Sequence, residues 1–234
     1  MIEATRLSKQ HGFTCGVVTN CYWALSERDA ELWLEPFVAL GIDDLSLSDD
    51  AFHSEDPERS QAKIAAQVAQ KLGLPSESIC IEEPFAAPVA EHQKGEPVVG
   101  GGVVFKGRAA AKLIDGLPRR NFECFDECTQ EELVAPSRVH LDPFGNVFVC
   151  QGLSIGNIWQ TPLATLMQQY RPHEHPIVGP LVAGGPAELA RRYGLPDGDR
   201  YVSDCHLCYL VRKNLLKEFP TYLCPEQVYG ESGE

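Results

Sequence analysis

Residues 15–50 read CGVVTNCYWALSERDAELWLEPFVALGIDDLSLSDD. CGVVTN (15–20) is a short β-branched run closed by polar residues, the pattern of a buried strand. A helix follows, with Ser26 at its N-cap and Asp29 three residues on, an approximate capping box. Ala30, Trp33, Phe37 and Leu40 recur at helical spacing, and Gly41 suits the position just past the helix end. Pro36 is expected to kink this helix or restart it. IDDLSLSDD (42–50) is then a second strand that ends in acids. Strand, helix and strand in that order imply a right-handed crossover and parallel pairing.

The alternation continues outward from this stretch. DPERSQAKIAAQVAQKLG (56–73) predicts a helix with Asp56 as N-cap, Pro57 at the first helical position and Gly73 past the end. Its buried stripe is Ile64, Val68 and Leu72. SICIEE (78–83) is a third strand, and PVVGGGVVFKGRAAAKLI (97–114) gives a fourth strand and a short helix. The expected class is α/β, with a parallel sheet that is open or barrel-like. Such folds carry their sites on the loops after the strands' carboxyl ends. Those ends present Thr19 and Asn20, then Ser48, Asp49, Asp50 and His53, then Glu82 and Glu83. Any one of these taken singly reads as a cap or a surface residue.

From about residue 121 the texture changes. RVHLDPFGNVFVC (138–150) is a hairpin with a DPFGN turn. PLATLMQQY (162–170) and GPAELARRYG (185–194) are short helices, separated by RPHEHPIVGPLVAGG (171–185), a Pro/Gly-rich loop. The second of them has Pro at its start and Gly past its end. Of nine cysteines, six fall in this half: Cys124, Cys128, Cys150, Cys205, Cys208 and Cys224. A half with little regular structure to bury a core is expected to need a metal staple.

Bulk properties exclude several classes. With 44% apolar residues in 234, the chain can bury a core and is not a disordered one. A formal charge of -13 argues against a nucleic-acid surface, because phosphate contacts dominate that affinity. DDLSLSDDAFHSEDPE (43–58) reads as solvated surface. No run reaches the roughly eighteen apolar residues of a membrane span. MIEATRLSKQHGF (1–13) lacks the apolar stretch of a signal peptide. Together with an odd cysteine count, that points to reduced thiols and a cytoplasmic chain.

Cys205 and Cys208, in DCHLCYLVRKN (204–214), form a C-x-x-C pair at a helix start, where both sulfurs face one way and the helix dipole favours thiolates. Cys150 ends a hairpin strand five residues after Gly145, and Cys128 lies shortly before the hairpin. These four match the ligand number of a [4Fe–4S] cluster or a structural zinc. A thioredoxin-like pair normally follows an early strand of a βαβ pattern, which is missing around 205–208. Tyr209 stands where c-type haem attachment needs His. GVVFKGRA (102–109) lacks the Lys and Ser/Thr of a phosphate loop. His206 is expected to point away from the pair, and His173 and His175 read as a surface loop. Cys15, Cys21 and Cys80 read as free thiols in a core. Cys124 and Cys224 read as spare ligands or buried residues, and Arg108, Arg138, Arg191 and Arg192 as surface charges.

VVTNCYWA (17–24), a helix and LSLSDDAFH (45–53) together resemble the middle of the partial barrel of radical S-adenosylmethionine (radical SAM) enzymes. RVHLDPFGNVFVCQGLSIGN (138–157) and DCHLCYLVRKNL (204–215) resemble the auxiliary-cluster region of the SPASM and twitch subgroup. The resemblance implies a partial parallel (β/α) barrel at 1–110 and a small Cys-rich α+β domain at 121–234. It implies one auxiliary [4Fe–4S] cluster on Cys128, Cys150, Cys205 and Cys208, with Cys124 an alternative to Cys128. It also places Asn20, Ser48 and Asp50 where such barrels contact S-adenosylmethionine, and it suggests a peptide or protein substrate.

Two family motifs are missing from the sequence, the C-x-x-x-C-x-x-C loop and the Gly-Gly-Glu segment. Without those thiolates the chain alone is not expected to cleave the cofactor. The resemblance therefore implies an N-terminally incomplete form of an enzyme, a degenerate homologue, or a chain whose missing strands come from a partner. Two readings compete with it: a zinc-stapled interaction module on the same four cysteines, and a dithiol oxidoreductase using Cys205 and Cys208.

Overall fold

Leu45 and Leu47, two residues apart on one strand and both fully buried, anchor the first core. The computed structural model describes all residues except Glu55, Pro57, Glu58, 88–97, Leu195, Asp197 and 231–234, with Val98 known in its backbone only. The chain divides into two compact units, Met1–Glu83 and Pro84–Glu234, so the junction falls ahead of the expected 110.

In the first unit the order is α1 (Ile2–Gln10), β1 (Gly16–Thr19), α2 (Glu27–Leu40), β2 (Asp44–Ser48), α3 (Gln61–Lys71) and β3 (Ser76–Ile79). The strands are parallel in the order β1–β2–β3, with Val17 opposite Leu45 and Leu47 opposite Ser78. Helices α2 and α3 pack together, and Ala30, Leu34, Phe37, Ala65 and Val68 join Leu45 and Leu47 in one core. The other sheet face differs. Val18 is 70% exposed, and Ser46 donates to Asp44 Oδ2 at 3.1 Å and Glu77 Oε1 at 3.3 Å. CGVVTN is thus half-exposed rather than wholly buried.

The helix ends follow local chemistry. Ser26 Oγ accepts from Asp29 N at 3.2 Å and donates to the Asp29 carboxylate at 2.6 Å, and Gly41 closes α2 in the left-handed region. Pro36 does not break α2, which runs unbroken across it. The cap of α3 is Ser60, which accepts from Lys63 N at 3.3 Å, and not Asp56; Pro57 lies outside the described residues. Ser60 wins because its hydroxyl is also held by Asp49 Oδ1 at 2.6 Å, tying the helix start to the loop after β2.

The expected fourth parallel strand is not one. Val98–Gly100 (β5) pairs antiparallel with Phe85–Ala87 (β4), and SICIEE contributes only its first two residues to a strand that begins at Ser76. The fold is mixed α/β, with one three-stranded parallel sheet and several small sheets. Among the described residues no closed barrel forms.

The second unit continues with α4 (Arg108–Lys112), β6 (Arg120–Asn121), β7 (His140–Leu141), β8 (Asn146–Cys150), β9 (Leu153–Asn157), α5 (Leu163–Gln169), α6 (Val178–Tyr193), β10 (Arg200–Tyr201) and α7 (Asp204–Asn214). β7–β8–β9 is an antiparallel meander, built from the expected hairpin and one further strand. Contrary to the expectation of a poor core, Val149, Leu153, Ile177, Leu189, Leu207, Val211 and Leu223 are nearly or fully buried together.

α6 begins inside the stretch expected to be a loop, and His175 explains why. Its Nδ1 accepts from Ile177 N at 3.2 Å and Val178 N at 3.1 Å, satisfying first-turn donors that have no partner within the helix. Nε2 therefore carries the proton and donates to Ser154 O at 3.2 Å. Burial holds the ring below the ordinary histidine range, although the bond to Ser154 works the other way. A depressed folded value means that the unfolded chain binds a proton the folded ring refuses. This stability is fully present above about pH 6.5, the unfolded value, and is lost as pH falls. The urea midpoint of the second unit should therefore drop between pH 7 and pH 5. His175→Asn, which keeps a capping acceptor, should flatten that drop; equal slopes in both proteins would refute the assignment.

Candidate metal centre

Helix α7 supplies half of the site. Ser203 caps it by accepting from His206 N at 3.1 Å. Cys205 and Cys208, three residues apart, share a face, and Arg212 four residues further on extends it. His206 is absent from the lining of the recess that Cys205 and Cys208 border, and it is buried. Its Nδ1 accepts from Val202 N at 3.2 Å, and burial followed by the Arg119 charge pushes the ring down to about 4.

Two other segments complete the site. Cys150 ends β8 at a tight turn in which Gly152 takes φ 75°, and Tyr229 Oη donates to Gly152 O at 2.7 Å. A Cβ at Gly152 would press on the Val228 and Tyr229 side chains. Cys128 arrives on an arm fixed on both flanks. After it, Thr129 Oγ1 donates to Asp204 Oδ2 at 2.6 Å, which ties the arm to the first turn of α7. Before it, Phe125 O accepts from Ala187 N at 2.9 Å. That contact exists because α6 breaks at Gly184 and Gly185 and restarts at Pro186. Gly185 has φ 62°, and a Cβ there would collide with the backbone of Asp126 and Glu127.

Cys128, Cys150, Cys205 and Cys208 line one recess of about 350 Å³, counting its open mouth, and Lys106 and Arg212 share its wall. Burial pushes the Cys208 thiol up to about 11, with Arg212 pulling it down and Cys150 and Cys128 pushing it up. Cys205 is raised too, by burial and then by Asp204. Such thiols keep their protons at neutral pH until a metal cation displaces them. Among the described residues, no three His, Cys, Asp or Glu side chains converge closely enough to hold one ion as they stand. The four cysteines line the recess without forming such a group.

The two cations were not legible as site residues. Lys106 Nζ donates to Cys150 Sγ at 3.2 Å. Burial alone would lower its affinity for the proton, but Cys150 and Cys205, once deprotonated, would outweigh that and shift it upward. Arg212 is 1% exposed; its Nη1 donates to Gln151 O at 3.1 Å and its guanidinium lies 5.6 Å from the centre of the Tyr229 ring. Its Nε has no hydrogen-bond partner among the described residues. The spacing 205, 208, 212 is the sequence signal that points to Arg212. For Lys106, brought in from a distant segment, no local signal exists.

The remaining cysteines stand elsewhere. Cys124 is exposed, and neither it nor Cys224 lines the recess. Cys21 is fully buried as expected, at φ 61°, whereas Cys15 is half-buried and Cys80 exposed, contrary to the core reading. In the first unit, Asn20 and Ser48 lie at the carboxyl ends of the adjacent strands β1 and β2. Asn20 Oδ1 accepts from Tyr22 N at 3.3 Å. Asp50 is buried; Oδ1 accepts from Phe52 N at 3.0 Å and His53 Nδ1 at 2.8 Å, and Oδ2 from Ile81 N at 3.2 Å. It pins the loop after β2 to the segment after β3. No known family model, curated protein or solved structure matches the chain.

Gly185→Ala should unfold the second unit more easily by upward of about 2 kcal/mol, since a left-handed Cβ costs about 1–2 kcal/mol before any backbone clash. Gly184 has extended backbone and only the Glu188 side chain nearby, so Gly184→Ala should stay within about 1 kcal/mol of wild type. Urea unfolding that ranks the two variants equally would contradict this account of how the Cys128 arm is held.

Proposed function

We propose that the second unit is an iron–sulfur-binding module of the radical SAM auxiliary type, with Cys128, Cys150, Cys205 and Cys208 as ligands of one [4Fe–4S] cluster. The observation that carries this reading is the recess itself: four thiols from three separate segments line one space, with the buried Arg212 and the half-buried Lys106 beside them. Four thiolates outweigh the charge of the metal core they bind, so the occupied centre is anionic. An anionic occupant is what the Lys106 ammonium and Arg212 Nε, without a partner among the described residues, call for. When bound, such a cluster supplies one-electron transfer or a site for substrate near it.

The residues of the chain supply everything else. α7 presents two thiols, the β8 turn a third and the Thr129-anchored arm the fourth, while Leu133, Leu153 and Leu181 keep the wall apolar. Zinc is the alternative. A Zn–S distance of about 2.3 Å would draw four sulfurs to within roughly 4 Å of one another. Four thiols in one recess suit either metal, and iron is favoured through the resemblance of 138–157 and 204–215 to the auxiliary-cluster region.

The first unit is read as part of a partial radical SAM-like barrel, with Asn20, Ser48 and Asp50 on its cofactor side. Asp50 would act there through the loop it pins. The sequence contains no C-x-x-x-C-x-x-C, so cleavage of S-adenosylmethionine would need cluster ligands from beyond these 234 residues. A completed enzyme of this type would modify a peptide or protein in the cytoplasm, with a partner chain one source of the missing strands.

Cys205→Ser and Cys208→Ser should each strip the metal after anaerobic reconstitution and unfold the second unit, while far-UV circular dichroism retains the helices of the first. Cys124→Ser and Cys224→Ser should keep wild-type iron and sulfide. Full metal content in either of the first two variants, or loss in both of the others, would sink the ligand assignment.

A further inference from the structure

Lys106 and Arg212 do more than occupy the wall. They approach the thiols from different parts of the chain, one from the segment before α4 and one from α7. Lys106 has one hydrogen bond to a thiol, at 3.2 Å to Cys150 Sγ. Arg212 spends Nη1 on the turn that follows Cys150 and leaves Nε directed to no protein acceptor among the described residues. Both cations therefore gather around the Cys150 edge of the recess. A buried guanidinium is retained only where negative charge answers it, because leaving it alone costs several kcal/mol.

Resting on the cluster reading above, we propose that Lys106 and Arg212 are the counter-ions of the metal–thiolate centre, and that Lys106, through its bond to Cys150, sets its reduction potential. One electron arriving from an external low-potential donor adds one negative charge to the centre, and no bond forms or breaks. A fixed positive charge at hydrogen-bond distance from a ligand sulfur favours the more negative state, and a donated hydrogen bond withdraws electron density from that sulfur. Low local dielectric magnifies both effects. Lys106 is a positioning residue here, acting through Cys150 and not on any substrate.

The test is the midpoint potential of the reconstituted full chain, titrated with dithionite and followed by electron paramagnetic resonance, for wild type, Lys106→Met and Lys106→Arg. Whatever cluster Lys106→Met loads should reduce with an equilibrium constant about tenfold smaller, a midpoint more negative by about 59 mV. Lys106→Arg should return to the wild-type value. An unchanged midpoint in Lys106→Met overturns the inference while leaving the cluster reading intact. If Lys106→Met does not load, loading rescued by Lys106→Arg supports the counter-ion role, and loading lost in both overturns it. Wild-type protein that takes up no iron and sulfide, or holds zinc alone, overturns the parent reading and this inference with it.

Discussion

Arg212 carries a permanent charge with 1% of its surface in contact with solvent, and the second unit is arranged around that fact. Burial works against the charge, while Tyr229, Cys208, Cys150 and Cys205, wherever they are deprotonated, outweigh it and raise the guanidinium's affinity for its proton. Its Nη1 donates to the Gln151 carbonyl and its guanidinium lies over the Tyr229 ring, while Nε has no hydrogen-bond partner among the described residues. A protein core that merely needed filling would place Leu or Met there, since replacing buried charge by apolar volume is often neutral or favourable. The charge is what an anionic occupant of the four-cysteine recess, as proposed above, would call for.

The rest of the second unit brings those sulfurs to the charge. Ser203 fixes the start of α7 and thereby the direction of Cys205 and Cys208. The Gly152 turn, held by Tyr229, delivers Cys150 and the carbonyl that grips Arg212. Gly185 opens α6 so that the Phe125–Glu127 backbone can nest against it, and Asp204 ties down Thr129 beyond Cys128. Most of these contacts join distant segments, and together they enclose one recess lined by four cysteines. In the first unit the same logic serves a sheet, with Ser60 and Asp50 fastening the loops at the carboxyl ends of the strands.

Much of this was legible in sequence where a single residue decides a local outcome. Ser26, Gly41 and Gly73 mark helix ends by chemistry that depends on no distant partner, and Pro186 marks the restart of α6 for the same reason. The four recess cysteines could be picked out by spacing and residue type. Misreadings came where a distant partner decided. Ser60 displaced Asp56 as a cap because Asp49 holds its hydroxyl, eleven residues away. Val98–Gly100 has a strand's composition, but its partner Phe85–Ala87 made the pairing antiparallel. His175 looked like loop decoration until Ser154 and the start of α6 enclosed it. Lys106 meets Cys150 across forty-four residues, a separation that no local pattern reports.

The central claim is that the recess holds a polynuclear cluster on four thiolates. The most direct measurement is the iron and acid-labile sulfide content of wild-type protein purified and reconstituted without oxygen. The account predicts close to four irons and four sulfides per chain, the count of one Cys₄ cubane. One zinc and no sulfide, or no bound metal at all, would contradict it.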